Sequence, residues 1–572
     1  MTSASRDPLA RLPRPLLALL LAGGLLAAGG LLAAAHAAEA PLATFDFTVS
    51  ARDTLIGLSQ RYLEQPADWP KLQRLNKIAN PKRLRPGSIV QIPVAWMREE
   101  NASAEVLSVA GAASGADGAK LAVGARLAPG AVVRTEADGF VNLRAPDGSL
   151  IAVQPRSEVR LGNLGRYANT DIFRTLLRMV SGRVEAVVNK LNGASRFEVQ
   201  TDLAVAGVRG TRFRVAADRG GASGKPSAQT EVLEGVVGFA AGEASAPANP
   251  SSQAVVVAAG YGSITDENGK PRAASALLPA PQIEAAAALQ ERLVARFRFP
   301  PVAGAGRYQA QIASDRDFRR GIGDGGFTTP EIKFADLPDG EYFLRARAVD
   351  GLGLEGIDAV FAFRVKARPE PPLTTLPAAD GKLRATTAAF NWAANPQAAS
   401  YRIQIAEDQA FTRVVQDQSV VEVDFTSAAL PFGEYHWRVR SIGGSGPAAD
   451  AGPWGDSRKF ILRPPPKSPE PPEETGNGIT FNWSGEPGQR FLLQVARDAL
   501  FTQLVEAREL TEPKAAIARP PQGTYYLRIR ATDGDGFVGP FTAPQRFVVI
   551  NRVIDSGGAN LTSGNGDPVR LQ

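Results

Sequence analysis

Hydrophobic positions along this chain recur with two different periods, and the changes of period mark its parts. An uncharged run from Leu16 to Ala35 follows Arg6, Arg11 and Arg14, which stand against a single Asp7. Beyond it, Phe45, Phe47 and Val49 alternate as in a half-buried strand. Asp53 and Thr54 occupy the place of a helix N-cap, with Leu55, Leu58 and Tyr62 at helical spacing behind them. A second helical stretch, WPKLQRLNKI, puts Trp69, Leu72, Leu75 and Ile78 on one face. After Asn80-Pro81 and the turn Arg85-Pro86-Gly87, a strand resumes through Ile89, Gln91 and Pro93. Residues 44–94 are thus expected to fold as strand, helix, helix, strand.

From 104 to 265 the period is two throughout. Turn signals at Gly139, Pro146-Asp147-Gly148 and Asn192-Gly193 punctuate strands such as SLIAV, RFEVQT, TRFRV and EVLEGVVGF. A β-sandwich or a β-helix-like stack of short strands would follow, with loops at 218–228 and 241–252, which are rich in Gly, Ala, Ser and Pro. Further on the chain repeats itself. The block Tyr308–Phe318 recurs at Tyr401–Phe411 and Phe491–Phe501, with offsets of 93 and 90 residues. The block LPDGEYFLRARAVDGLG from Leu337 recurs at Leu430 and Pro520 with the same two offsets, and Phe299, Trp392 and Trp483 hold one upstream place. An aromatic before one strand, a tyrosine corner (Tyr342, Tyr435, Tyr525) and a last strand at Phe361, Phe460 or Phe547 describe a β-sandwich. Three copies are expected, at 286–367, 372–463 and 475–550, joined by stiff Pro-rich linkers at 368–373 and 463–474. Within the repeats, Asp533-Gly-Asp-Gly536 aligns with Asp350–Gly353 and Gly443–Gly446 and reads as a turn rather than a calcium loop. His436 aligns with Phe343 and Tyr526, which makes it a packing position. The tail 551–572 is expected to be disordered.

Composition narrows the chemistry. The 572 residues include no cysteine and only two histidines, His36 and His436. Disulfides, thiolate metal sites, cysteine nucleophiles and a lipid-modified cysteine are therefore excluded, as are most nucleophile–base pairs. No catalytic residue, metal site or cofactor is expected. The N-terminal 37 residues read as a secretory signal peptide ending at Ala35-His36-Ala37, the alternative being an uncleaved anchor. Contact with a membrane is expected only if that segment is kept. Cleavage takes the net charge from +6 to +4, because three arginines and one aspartate leave with it. Spread over the remaining chain, that charge is too dilute for a nucleic-acid partner.

Three families are recognisable in these residues. ARDTLIGLSQRYL, LQRLNKI and ANPKRLRPGSIVQIP resemble the LysM domain. The resemblance implies a groove for N-acetylglucosamine glycans such as peptidoglycan, formed by Asp53, Thr54 and Leu55 on one side and Asn76, Ile78, Asn80 and Pro81 on the other. Arg52 stands where the family has glycine. GFVNLRAPDGSLIAVQPRSEVRL, MVSGRVEAV and FEVQTDLAVAGVRGTRFRV resemble a FecR domain over 104–265. Its motif Gly207, Arg209, Gly210 and Thr211 suggests an arginine held by flanking glycines, in an internal salt bridge or at an anion. The repeats resemble fibronectin type III domains. The fold class implied is multidomain and mainly β: a small βααβ LysM module, a β-rich FecR-like domain and three tandem β-sandwich repeats. The function implied is that of a non-enzymatic periplasmic protein that binds peptidoglycan and presents its β domains to an unknown envelope protein. A FecR-type sensor is the alternative. A cell-wall hydrolase is the least favoured reading, since no segment offers a carboxylate cleft or metal-ligand spacing.

Overall fold

The computed structural model describes residues 43–220, 225–242, 254–266, 268–475, 478–550 and 561–562. The expected signal peptide and all but two residues of the tail lie outside them. The chain divides into two compact units, residues 1–98 and 99–572. No helix among the described residues is long and apolar enough to cross a membrane.

In the first unit, β1 (Thr44–Thr48), α1 (Leu55–Tyr62), α2 (Trp69–Leu75) and β2 (Ile89–Pro93) follow in the expected order. β1 and β2 pair antiparallel, with Phe47 opposite Val90. Leu55, Leu58, Leu72 and Ile92 form the core, and Phe45 and Phe47 lay their rings 5.5 and 5.6 Å from Tyr62. The cap of α1 is Thr54, whose Oγ1 accepts the Gly57 N–H at 3.1 Å. Asp53 instead closes the preceding turn, its Oδ2 accepting the Ser50 N–H at 2.7 Å. Arg52 sits in that turn at φ 77°, the left-handed region that explains why glycine is usual there. α2 is shorter than its pattern suggested. Lys77 turns left-handed at φ 51° and ends it, so Ile78 falls outside the helix and Leu75 is exposed.

The second unit begins with two β layers that enclose one core including Val106, Leu143, Val159, Leu177, Phe197, Phe213 and Phe239. The strand Phe173–Val187 serves both layers. Its first half pairs with Ser157–Tyr167 and, in parallel, with Arg196–Gln200, while its second half pairs with Leu150–Val153 and Arg212–Arg219. It changes layer at Gly182, where φ is +91° and a Cβ would stand 2.2 Å from Ser157 Oγ. No other residue fits. Because the strand bends there, the chain returns beside the strand's own start, and Asn192-Gly193 belongs to a crossover rather than a hairpin. Gly139 likewise joins strands that do not pair with each other, Val132–Thr135 and Phe140–Arg144. Of the three turns expected from sequence, the Pro146-Asp147-Gly148 turn alone closes a hairpin. EVLEGVVGF is split at Gly235 into Pro226–Glu234 and Val236–Ala241.

Three β-sandwiches follow. Each corner tyrosine donates its hydroxyl to a proline carbonyl four residues back, Tyr342 to Pro338, Tyr435 to Pro431 and Tyr525 to Pro521, all at 2.8 Å. Each ring stacks at 5.6 Å on the last-strand aromatic, Phe363, Phe460 or Phe547. In the first repeat this partner is therefore Phe363, not the Phe361 expected from sequence, since Phe363 is the residue in register with Tyr342. Phe299, Trp392 and Trp483 are buried against Tyr308, Tyr401 and Phe491. The first linker is no free spacer: the Glu370 carbonyl accepts Ser441 Oγ and Asn395 Nδ2, both at 2.6 Å. Asp533-Gly-Asp-Gly536 is a turn, closed by the Gly536 N–H on the Asp533 carbonyl. Its two carboxylates bind the second repeat, Asp533 Oδ1 holding Arg384 at 2.6 Å and Asp535 Oδ2 holding Arg463 at 3.1 Å. His436 lies on the strand Gly433–Gly443 opposite Lys459.

Candidate functional site

The two loops singled out in the first unit lie side by side, because the Leu55 N–H, at the start of α1, donates to the Pro81 carbonyl at 2.9 Å. The seven residues are not equivalent. Leu55 is fully buried and belongs to the core, and Thr54 Oγ1 is occupied by its cap bond. Asn76 is committed to the fold: Nδ2 donates to the carbonyls of Leu72 (3.0 Å) and Gln91 (2.8 Å), and Oδ1 accepts the Gln91 N–H at 2.7 Å. It ties the end of α2 to β2. We expect Asn76→Ala to destabilise the first unit by about 1–3 kcal/mol, read as faster hydrogen exchange of the Gln91 amide; unchanged exchange would remove this role. Ile78 and Pro81 are half-buried, and Asn80 is exposed with its Oδ1 on the Lys82 N–H at 3.0 Å. Asp53 Oδ1 and Asn80 Nδ2 have no hydrogen-bond partner among the described residues. The loops thus offer one acceptor, one donor and a small apolar patch. Sequence reading passed over Ile56, an exposed apolar side chain on the first turn of α1.

In the second unit, Arg209 forms no salt bridge among the described residues, against the internal pair the sequence suggested. Arg209 is exposed, and its Nε reaches only the Leu191 carbonyl, at 3.5 Å. Gly210 is required by φ +83° and by Lys190 Cα, 3.0 Å from where a Cβ would be. Gly207 has open space about it, and the Thr211 carbonyl accepts the Val188 N–H at 2.8 Å. The buried pairs belong instead to the next two arginines of the motif, Arg212 and Arg214, and join this domain to the first repeat. Glu355 Oε1 takes Arg183 at 2.6 Å, and its Oε2 takes Arg214 at 3.2 Å and also Arg347. Glu185 takes Arg212 at 2.9 Å and Arg345 at 2.8 Å, and Asp324 takes Arg183 at 3.0 Å. Burial alone would raise Glu185, but Arg345, Arg347, Arg212 and Arg214 hold it well below the usual carboxylate range. Glu355 is held down in the same way, by Arg347, Arg183 and Arg214. Glu231 goes the other way: burial pushes it up to about 7, with Arg214 opposing and Glu355 adding. Beside this network a cavity of about 520 Å³ opens, lined in part by Asn142, Glu185, Arg212, Glu234, Phe318 and Arg345. Among the described residues no group of three or more His, Cys, Asp or Glu side chains could hold a metal ion.

Comparison with known proteins gives two family matches. Residues 47–93 match the LysM domain and residues 131–238 match the FecR protein family. Both are binding or signalling domains. No curated protein matches the chain. Among solved structures, the FN1–FN3 domains of chicken CNTN1 are 14% identical, covering 47% of this chain and 99% of that one, with a TM-score of 0.20. A Parabacteroides distasonis protein assigned as an anti-sigma factor is 16% identical over 25% of this chain, with a TM-score of 0.20. The chain spans 59% of that protein's length. Together with the corner tyrosines described above, the two matches identify the chain as a multidomain, mainly β protein in which a LysM domain and a FecR domain precede fibronectin type III-like β-sandwich repeats.

Proposed function

We propose that this is a non-enzymatic protein of the cell envelope that binds peptidoglycan through its LysM domain and presents the FecR-like and repeat domains to a protein partner. The observation that carries the reading is the pairing of the two loops through Leu55 N–H and the Pro81 carbonyl, which leaves Asp53 Oδ1 and Asn80 Nδ2 open beside Ile78 and Pro81. Recognition of an N-acetylated sugar needs an acceptor and a donor for its hydroxyls and amide, and a small apolar floor for its methyl group. The basic, then apolar N-terminal sequence supports export to the periplasm. The double variant Asp53→Asn, Asn80→Ala is expected to weaken sedimentation with purified peptidoglycan sacculi at least tenfold without lowering thermal stability. Undiminished sedimentation would place the glycan elsewhere. A second reading, ligand sensing by the FecR-like part, is favoured by the cavity between that domain and the first repeat.

A further inference from the structure

The three repeats carry one side-chain arrangement in the same register. A glutamine (Gln311, Gln404, Gln494) accepts through Oε1 from both Nε and Nη2 of an arginine on the neighbouring strand (Arg345, Arg438, Arg528), at 2.5–3.1 Å. A phenylalanine (Phe318, Phe411, Phe501) lies against each guanidinium, 3.9–4.5 Å from ring centre to carbon. All three phenylalanines have left-handed backbone, φ 55–59°. That conformation costs about 1–2 kcal/mol outside glycine. It is held in each copy by an aspartate three residues earlier, Asp315, Asp408 or Asp498, accepting two backbone N–H groups. Each arginine is therefore fixed along one edge and over one face, and its Nη1 is left to point elsewhere.

In the first repeat Nη1 has an occupant. Arg345 Nη1 donates to Glu185 Oε2 at 2.8 Å, a carboxylate delivered by the FecR-like strand Phe173–Val187. The next arginine on the same strand, Arg347, is neutralised by Glu355 and Asp358. In the second and third repeats no carboxylate among the described residues forms an ion pair with Arg438, Arg440, Arg528 or Arg530. Glu355 pairs with Val349, and the residues that pair with the equivalent Ile442 and Thr532 are Ala451 and Val538, while Phe541 stands opposite Arg530. Arg438 lies between Phe411 and Trp454, and Arg528 between Phe501 and Phe541. Nε of Arg440 and of Arg530 is buried without a partner among the described residues. Of the nearby acids, Asp417 is already taken by Arg402 and Gln404, Glu291 acts on Arg438 from beyond ion-pair distance, and Glu509 sits one strand beyond Arg530, opposite Leu492.

We propose that these faces of the second and third repeats dock an acidic, extended segment of another protein, whose carboxylates take on Arg438 and Arg528 the place Glu185 takes on Arg345. The chemistry follows from the first repeat, where the occupant is a β-strand carrying glutamate, and from the unbalanced positive charge of the other two. A planar fork held in one orientation suits a carboxylate on a defined backbone, whereas a flexible polyanion gains nothing from that fixing. This deepens the partner half of the function proposed above and is independent of its glycan half.

The test uses the full mature chain and a twelve-residue peptide of alternating Glu and Thr, with a Gln-Thr peptide as control. We expect the Glu peptide to slow hydrogen exchange in Gly433–Gly443 and Gly523–Thr532 but not in Gly340–Asp350, whose face is already occupied. The Gln peptide should leave all three unchanged, and the double variant R438Q, R528Q should weaken peptide binding at least tenfold. Sacculus sedimentation of that variant should be unaltered, so failure of glycan binding and failure of docking are read separately. The proposal is overturned if the Glu peptide protects neither strand of the unaltered protein, if the variant binds it as well as the parent, or if inorganic polyphosphate of equal charge protects the same strands equally. Should the variant unfold, the exchange pattern of the unaltered chain decides alone.

Discussion

Replacing Glu355 by alanine is expected to destabilise the second unit by about 3–5 kcal/mol, the largest single effect in the molecule. The carboxylate is 5% exposed and receives Arg183, Arg214 and Arg347 at once. Arg214 and Arg347 are as deeply buried as their acceptor, at 6% and 4% exposure. Removal of the acceptor leaves these buried cations to share Asp358, 3.0 Å from Arg347 and 4.0 Å from Arg214, as their remaining counter-charge, whereas an exposed pair would lose about 1 kcal/mol or less. Because Arg183 and Arg214 come from the FecR-like domain and Arg347 from the first repeat, the loss should also uncouple the two. Denaturant unfolding should show a lower midpoint, and hydrogen exchange should rise in both Arg212–Arg219 and Gly340–Asp350. The conservative variant Glu355→Gln should recover part of the loss through its remaining acceptor oxygen. A cost below about 1 kcal/mol would mean that the network is not the joint between the domains.

The second large effect is on pH dependence and comes from Glu231. Burial, with the Glu355 carboxylate adding, pushes it up to about 7 against an ordinary glutamate value of 4.5, and Arg214, Arg347 and the Glu355 backbone N–H offset this only in part. A carboxyl group raised in this way keeps its proton in the folded state while the unfolded chain gives it up, so its contribution is fully present below pH 4.5 and declines as pH rises to 7. Glu185 and Glu355, held low by their arginines, act in the opposite sense and lose their contribution as pH falls below the ordinary glutamate range. The Glu231→Gln variant should therefore gain stability relative to the parent between pH 4.5 and 7, by roughly 2–3 kcal/mol, and stay ahead by that margin at pH 8. Parallel unfolding curves of parent and variant across that range would contradict the assignment.

How much of this was legible in the sequence depended on whether the cause was local. The repeats could be found by self-comparison because each sandwich needs its own core aromatic and corner tyrosine at near-constant offsets, 93 and 90 residues for the tyrosines and 93 and 91 for the aromatics. The first unit was legible because capping and helical spacing are written in neighbouring residues. Cross-domain pairing is not written there. Arg212, Arg214, Glu185 and Glu231 simply alternate with apolar neighbours along their strands, and the residues that cover them, Arg345, Glu355 and Asp358, lie more than a hundred residues on. Arg209 attracted notice through its flanking glycines, yet Gly210 answers to the close approach of Lys190 and not to the arginine. Asn76 has the chemistry of a sugar ligand, but the frayed end of α2 and the Gln91 backbone need the same atoms. The layer change at Gly182 was hidden for a similar reason, since a glycine within a strand pattern signals a bend without saying which partners lie on either side.

The measurement that bears most directly on the central claim is sedimentation of residues 38–572 with purified peptidoglycan sacculi, scoring both binding and release of soluble muropeptides. The account expects saturable binding without release, lost in the Asp53→Asn, Asn80→Ala variant. Absence of binding would contradict the wall-anchoring role and leave ligand sensing at the interdomain cavity as the better reading, and release of muropeptides would contradict the non-enzymatic one.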